Sequence, residues 1–145
     1  MKLQIDEVSN LEETEIFIKC KKIDDKIHKI SNYIRTSYIT INGKLDGETY
    51  VLNLDDIFYF EAVENRVFAY VEKNVYEVNY KLQELTKILA RTSFIQVART
   101  IILNINKIEK VSTLVNGRIS AVLINNERMI ITRVYARAFK QKLNG

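Results

Sequence analysis

The 145 residues, 47% hydrophobic and 28% charged, are enough for one folded domain with a modest core and too apolar for a disordered chain. No apolar run approaches the roughly 20 residues of a membrane-spanning helix, and residues 1–10 lack the apolar segment of a signal peptide. We therefore expect a cytoplasmic protein. The single cysteine, Cys20, agrees with a reducing compartment.

The net charge of +4 is unevenly distributed. Residues 1–16 carry one basic and five acidic residues, whereas residues 91–145 carry ten basic and two acidic residues, a net +8. A concentrated positive field attracts polyanions, nucleic acid first and anionic membrane second. A solvated basic face would give the same counts, so charge alone leaves these interpretations open.

The first predicted elements are a strand and a helix. Residues 14–22 alternate apolar and polar side chains, which predicts a half-buried strand with Cys20 in the core. Two aspartates at an N-cap position, followed by isoleucines at helical spacing, predict an amphipathic helix over residues 24–35. We predict a strand-helix extension over residues 1–37 and a separate domain over residues 38–145.

From Tyr38 onward, short alternating segments are separated by Asn, Asp and Gly turn signals, a pattern typical of antiparallel strands. Residues 81–90 interrupt the strands with leucines at helical spacing, and residues 134–143 predict a short basic helix. The fold class predicted is mostly β (α+β), with small antiparallel sheets, a mid-domain helix and a short C-terminal helix.

Enzyme signatures are scarce. The only histidine, His28, lies on the polar face of the first predicted helix without partners at metal-ligand spacing. The pair Asp55-Asp56 is better explained by a turn before a strand than by a catalytic carboxylate pair. No P-loop, nucleophile elbow or dinucleotide-binding glycine motif occurs. We expect no enzyme, and no cofactor, metal or small-molecule substrate.

Three stretches carry a resemblance to a known family. Residues 54–89 read LDDIFYFEAVENRVFAYVEKNVYEVNYKLQELTKIL, with an Asp-Ile step, an aromatic pair ending in Glu, a turn, a strand and an L-x-x-L helix. Residues 94–111 read FIQVARTIILNINKIEKV, and residues 117–143 read GRISAVLINNERMIITRVYARAFKQKL. In this order, over about residues 38–143, they resemble the LytTR DNA-binding family of bacterial transcription regulators.

The chain departs from the family pattern at four positions. Gln96 stands where the family usually has Arg, and Ala98 where it often has His or another polar residue. These two departures affect the expected target sequence more than DNA binding itself. Asn126 replaces a turn glycine and tolerates the left-handed conformation. Thr132 replaces Ser and keeps the hydroxyl.

The resemblance implies that loops, rather than a recognition helix, enter successive major grooves of double-stranded DNA. The loop candidates carried over by motif are Asn65, Arg66, Arg99, Thr100, Thr132 and Arg133. An Arg can bond guanine O6 and N7 together, and Asn can pair similarly with adenine. The resemblance assigns Lys107 and Arg137 to phosphates, which position a protein without reading sequence.

Structural alternatives stand beside these roles. Arg99 could simply lie at the end of a strand with its guanidinium group in solvent, and Arg133 could form an ion pair with Glu127. Asn65 suits a hairpin turn equally well. We interpret Asn104, which interrupts an apolar run, as a structural turn or cap rather than a DNA contact.

Family members usually follow a phosphorylatable receiver domain, for which residues 1–37 are too short, so the resemblance is to the stand-alone form. It implies a sequence-specific transcription regulator on paired direct repeats, hence two protomers on DNA. A homodimer and a membrane-protein inhibitor docking on the N-terminal extension are left open as partners. The alternative function is a basic interaction module for a protein, an acidic lipid surface or single-stranded nucleic acid.

Overall fold

The computed structural model describes residues 1–145 and contains three α-helices and ten β-strands. The helices are α1 (Asp25–Ser37), α2 (Leu82–Ile88) and α3 (Arg133–Asn144). The strands are β1 (Ile41–Leu45), β2 (Glu48–Leu52), β3 (Ile57–Val63), β4 (Arg66–Val71), β5 (Val75–Val78), β6 (Phe94–Ala98), β7 (Ile101–Asn104), β8 (Ile108–Thr113), β9 (Ile119–Leu123) and β10 (Arg128–Ile131). Single 3-10 turns precede β3, β8 and β9.

All strand pairings are antiparallel. Seven strands form one sheet in the order β2-β1-β5-β4-β3-β7-β6, and three form a second sheet in the order β10-β9-β8. Consecutive strands are joined mainly by tight turns, as the Asn, Asp and Gly signals predicted. The predicted mostly β class, with a helix in mid-domain and another at the C-terminal end, is confirmed.

Two hydrophobic clusters lie on opposite faces of β3. Ile57 and Phe60 belong to the first cluster, which α2 covers, whereas Phe58 and Tyr59 belong to the second, which α3 and the three-stranded sheet cover. A β-bulge between Ile57 and Tyr59 accommodates this run of buried residues. Each fully buried aromatic side chain contributes about 1.5–3 kcal/mol to the free energy of unfolding. Because β3 supplies residues to both clusters, this strand joins the two halves of the core.

An Asn-capped 3-10 turn occurs twice, before β3 and before β8. Asn53 caps the first turn, with Oδ1 accepting from Asp55 N at 3.0 Å. Asn104 caps the second and is itself buried. Its Oδ1 accepts from Asn106 N and Ser93 Oγ, and its Nδ2 donates to Ile57 O at 2.9 Å. The structural interpretation of Asn104 is therefore confirmed.

The N-terminal region differs from the prediction in one element. The helix is confirmed: Asp24 is the N-cap of α1, with Oδ1 accepting from Ile27 N at 3.0 Å. The strand predicted over residues 14–22 is wrong, and Cys20 is exposed rather than in the core. No strand of either sheet pairs with this segment, and alternation without a neighbouring strand does not form a sheet. The strand-helix description of residues 1–37 is corrected to an irregular segment and a helix.

We expect Asn104→Ala to lower the free energy of unfolding by about 2–3 kcal/mol, because the buried Ser93 hydroxyl and Ile57 carbonyl each lose a partner. Urea denaturation measures this loss. The matched control is Asn106→Ala, an exposed side chain on the same turn, for which we expect a change within about 0.5 kcal/mol. Equal losses in the two variants would contradict the buried network.

Candidate nucleic-acid interface

A two-residue turn joins β3 to β4. Glu64 and Asn65 both have positive φ, 50° and 66°, and Val63 pairs with Arg66, which is the geometry of a type I′ hairpin. The turn interpretation of Asn65 is thus confirmed, and its side chain remains exposed at the tip. Arg66 Nη1 lies 3.9 Å from Glu77 Oε1 with both side chains exposed, a contact worth at most about 1 kcal/mol.

A second turn joins β6 to β7 and contains Arg99 and Thr100, both exposed. Gln96 Nε2 donates to Arg99 O at 3.2 Å, which braces the turn from the bulged end of β6. Ala62 N donates to Thr100 O at 2.9 Å. Because Ala62 is in the last part of β3, this bond holds the second turn beside the β3–β4 hairpin.

The N-terminus of α3 lies next to the second turn. Thr132 donates to Val97 O from its backbone N at 2.9 Å and from Oγ1 at 3.4 Å. The hydroxyl therefore anchors the helix to β6 instead of capping the helix N-terminus. Arg133, the first residue of α3, is exposed, and no acidic residue occupies this first helical turn. The helix dipole and Arg133 consequently present positive charge at the same place.

A third loop, between β8 and β9, packs against Arg133. Gly117 has φ +75°, and a Cβ added there would lie 3.1 Å from Arg133 Cγ. Arg118 follows it and is exposed, with its carbonyl accepting from Leu114 N at 2.8 Å. Sequence reasoning did not select Arg118. The signal was the Asn-Gly turn before it, which places Arg118 on a loop next to a strand.

The structure therefore brings six of the eight candidates to one end of the domain. We call this end the loop surface and define it by Asn65, Arg66, Arg99, Thr100, Arg118, Thr132 and Arg133. Arg137 lies one helical turn beyond Arg133 on α3 and is exposed on the same side. Lys140 extends this row by a further turn.

Lys107 is the one candidate that lies elsewhere. It belongs to the 3-10 turn after β7, at the end of the domain opposite the loop surface. Its carbonyl accepts from Ile124 N at 2.9 Å, and its Nζ lies 5.0 Å from the centroid of the Phe58 ring. The half-buried Lys107 thus covers the core with its aliphatic stem.

A family model described as the LytTr DNA-binding domain matches residues 47–144. This chain belongs to that family. The resemblance stated from the sequence is confirmed, and with it the prediction of a DNA-binding transcription regulator. The family is a DNA-binding domain and not an enzyme class.

Relatives and one solved structure agree with the LytTr assignment. An uncharacterized HTH-type transcriptional regulator of Staphylococcus aureus (strain NCTC 8325 / PS 47) is 27% identical over 146 residues, covering 99% of each chain. The sensory transduction protein LytT of Enterococcus faecalis is 28% identical over 109 residues, and the chain spans only 44% of its length. The LytTr DNA-binding domain of a putative methyl-accepting/DNA response regulator from Bacillus cereus has a TM-score of 0.68 at 24% identity, covering 73% and 97% of the two chains. That likeness shows the shared fold.

Most arginines of the loop surface form no ion pair. The only salt bridge in the LytTr protein is the weak one between Arg66 and Glu77. The alternative in which Arg133 pairs with Glu127 is wrong, because Glu127 accepts from Tyr59 Oη at 2.9 Å, near the β9–β10 turn. Burial, followed by this hydrogen bond, raises the pKa of Tyr59 far above its ordinary value, so the phenol remains a donor at neutral pH.

Three further structural features bear on the sequence predictions. None of the three helices is both long and apolar enough to cross a membrane. His28 is exposed on α1, as predicted for an ordinary surface residue. No group of three metal-ligating side chains occurs in the chain.

Proposed function

We propose that this LytTr protein regulates transcription in the cytoplasm by reading specific double-stranded DNA through its loop surface. The observation that carries the proposal is the convergence of Arg99, Arg118 and Arg133. These three exposed arginines come from separate turns, meet at one end of the domain and form no ion pair. Free guanidinium groups on adjacent loops have the geometry needed to reach base edges in a major groove.

The residues of the loop surface divide into two roles. We assign Arg99 and Arg133 to base edges, with Asn65 and Arg66 reading from the neighbouring hairpin. Thr100 and Thr132 lie beside the two arginines and offer hydroxyls to bases or phosphates. Support for these assignments comes from exposure and from the hydrogen bonds that fix each turn.

The exposed basic row of α3 suits the DNA backbone. Arg133, Arg137 and Lys140 lie on one side of the helix and span about 10 Å at 1.5 Å per residue. We assign Arg137 and Lys140 to phosphates, which orient the protein without reading sequence. The proposal leaves out Lys107, because it lies at the opposite end of the domain and half-buried over Phe58.

We further propose that two protomers occupy paired direct repeats, with residues 1–37 as the region that meets another protein. Eleven of the twenty-two exposed large hydrophobic residues of the chain lie in this region. Such a concentration of exposed apolar side chains is typical of a protein contact. The contact is either with a second protomer in a homodimer or with a membrane-protein inhibitor.

The test of base reading is a pair of variants, Arg99→Ala and Arg133→Ala. We expect each to lower affinity for a selected duplex by about 5- to 150-fold, which corresponds to roughly 1–3 kcal/mol. Because base contacts carry the discrimination, affinity for competitor DNA should fall much less. Fluorescence anisotropy with specific and scrambled duplexes measures both quantities across a salt titration.

The control for this test is Arg128→Ala, which removes an exposed arginine at the start of β10, one strand length from the loop surface. We expect it to leave the specificity ratio unchanged. Equal losses on specific and scrambled duplexes would instead make Arg99 and Arg133 phosphate contacts. Equal affinity for single-stranded and duplex DNA would contradict duplex reading.

Gly117→Ala tests the placement of Arg133 without removing its charge. The new Cβ would meet Arg133 Cγ at 3.1 Å, and the flexible side chain would have to move. We expect affinity for the specific duplex to fall about fivefold, a change of roughly 1 kcal/mol.

The matched control for Gly117→Ala is Gly47→Ala. Gly47 also has a positive φ, +79°, but nothing lies within 4 Å of an added Cβ. Both variants should lose about 1 kcal/mol of stability from the left-handed backbone, whereas only Gly117→Ala should weaken DNA binding. Unchanged DNA affinity in both would contradict the position assigned to Arg133.

A further inference from the structure

A second positively charged region lies at the end of the domain opposite the loop surface. A cleft of about 990 Å³ is formed there by α1, residues 91–93, the 3-10 turn after β7 and the last turn of α3. One wall, α1, lies outside the residues matched by the family model, 47–144. The cleft therefore lies between the N-terminal helix and the LytTr domain, and the family match alone does not contain it.

The lining of the cleft is polar and mostly basic. It contains five side chains that are or can become cationic: His28, Lys29, Arg35, Arg91 and Lys142. Asp25 is the only carboxylate side chain in the lining, and Ile105 and Leu143 are the only apolar residues. Hydroxyl and amide groups supply most of the rest, including those of Ser31, Asn32, Thr92, Ser93 and Asn106. Such a lining is unsuited to an apolar ligand and suited to a strongly hydrated anion.

The basic side chains of the cleft form no ion pair within the protein. Lys142 Nζ is half-buried and makes one long hydrogen bond, 3.4 Å to Ala90 O. Burial lowers the pKa of Lys142 below its ordinary value, and the positive charge of Arg35 lowers it further. None of the five side chains takes part in an ion pair. Five basic side chains around a single carboxylate side chain leave an excess of positive charge, which favours the binding of an anion.

We propose that this cleft binds a small, soluble phosphate-bearing anion at a site distinct from the DNA interface. The phosphoryl oxygens would accept hydrogen bonds from Arg35, Arg91 and Lys142. The planar guanidinium of Arg can donate two parallel hydrogen bonds to a phosphate, and the ammonium of Lys acts as a compact positive charge. The helix α3 starts at the loop surface and ends in the cleft, so its 12 residues separate the two sites by about 18 Å. The site gives the regulator a place for a signalling anion that leaves the DNA-reading arginines free.

The probe for the cleft is pyrophosphate, added to the full chain at constant ionic strength against sodium chloride. Binding to the folded state raises the midpoint of thermal unfolding, and we expect a saturable rise of about 3–6 °C at a tenfold excess over Kd. The double variant Arg91→Gln/Lys142→Gln should lose this rise while remaining folded in chloride. The single variant Arg35→Gln, at an exposed position, should reduce it.

The charge-matched control is Lys87→Gln/Lys110→Gln, which removes two exposed lysines outside the cleft and should keep the full rise. Absence of a saturable rise in the unsubstituted protein, or an equal rise in the cleft variant, would overturn the proposal. The protein could instead sediment with phosphatidylglycerol vesicles and show no response to pyrophosphate. That result would assign the cleft to a membrane surface and would also overturn the proposal.

A duplex-binding measurement separates this proposal from the proposed function. The cleft variant should bind the specific duplex as the unsubstituted protein does. If it lost affinity together with a smaller salt slope, the cleft would be part of the DNA interface and not a separate anion site. Loss of DNA reading in Arg99→Ala leaves the pyrophosphate result unaffected, so the two proposals fail independently.

Discussion

Burial of β3 on both faces is the constraint on which the domain depends. Four consecutive residues, Ile57 to Phe60, are buried, and two of them belong to each of the two hydrophobic clusters. A strand buried on both faces needs a covering layer on each side. The position of α2, and that of the three-stranded sheet with α3, both follow from it. The end of β3 in turn holds the second turn of the loop surface through the bond from Ala62 to Thr100.

Much of the fold could be predicted from the sequence because its signals are local. The Asn and Gly turns, the N-cap at Asp24 and the leucines of α2 each act within a few residues of chain. Residues 14–22 show where this reasoning ends. Their alternation specifies a period of two, but a strand also needs a neighbour, and the period says nothing about whether one is present.

The candidate site was predictable in its residues and only partly in its arrangement. Arg99 and Arg133 are far apart in sequence, and the bonds from Thr132 to Val97 bring them together. In an antiparallel meander, successive turns alternate between the two ends of the sheet. The turns that contain Arg99 and Arg118 therefore share one end with the start of α3, whereas the turn of Lys107 lies at the other. Counting the strands along the sequence would have added Arg118 to the candidate DNA-binding residues and excluded Lys107 from them.

The same alternation has a consequence for how such a chain can change in length. The turns at residues 46–47, 72–74 and 125–126 all lie at the end away from the arginines. Extra residues there would extend into solvent without altering the spacing of the guanidinium groups. Insertions of the same size after Ala98 or Ile131 would separate them. Loops can therefore vary in length during evolution at the end of the domain away from the arginines. A tag or reporter inserted in the domain would be accommodated at that same end.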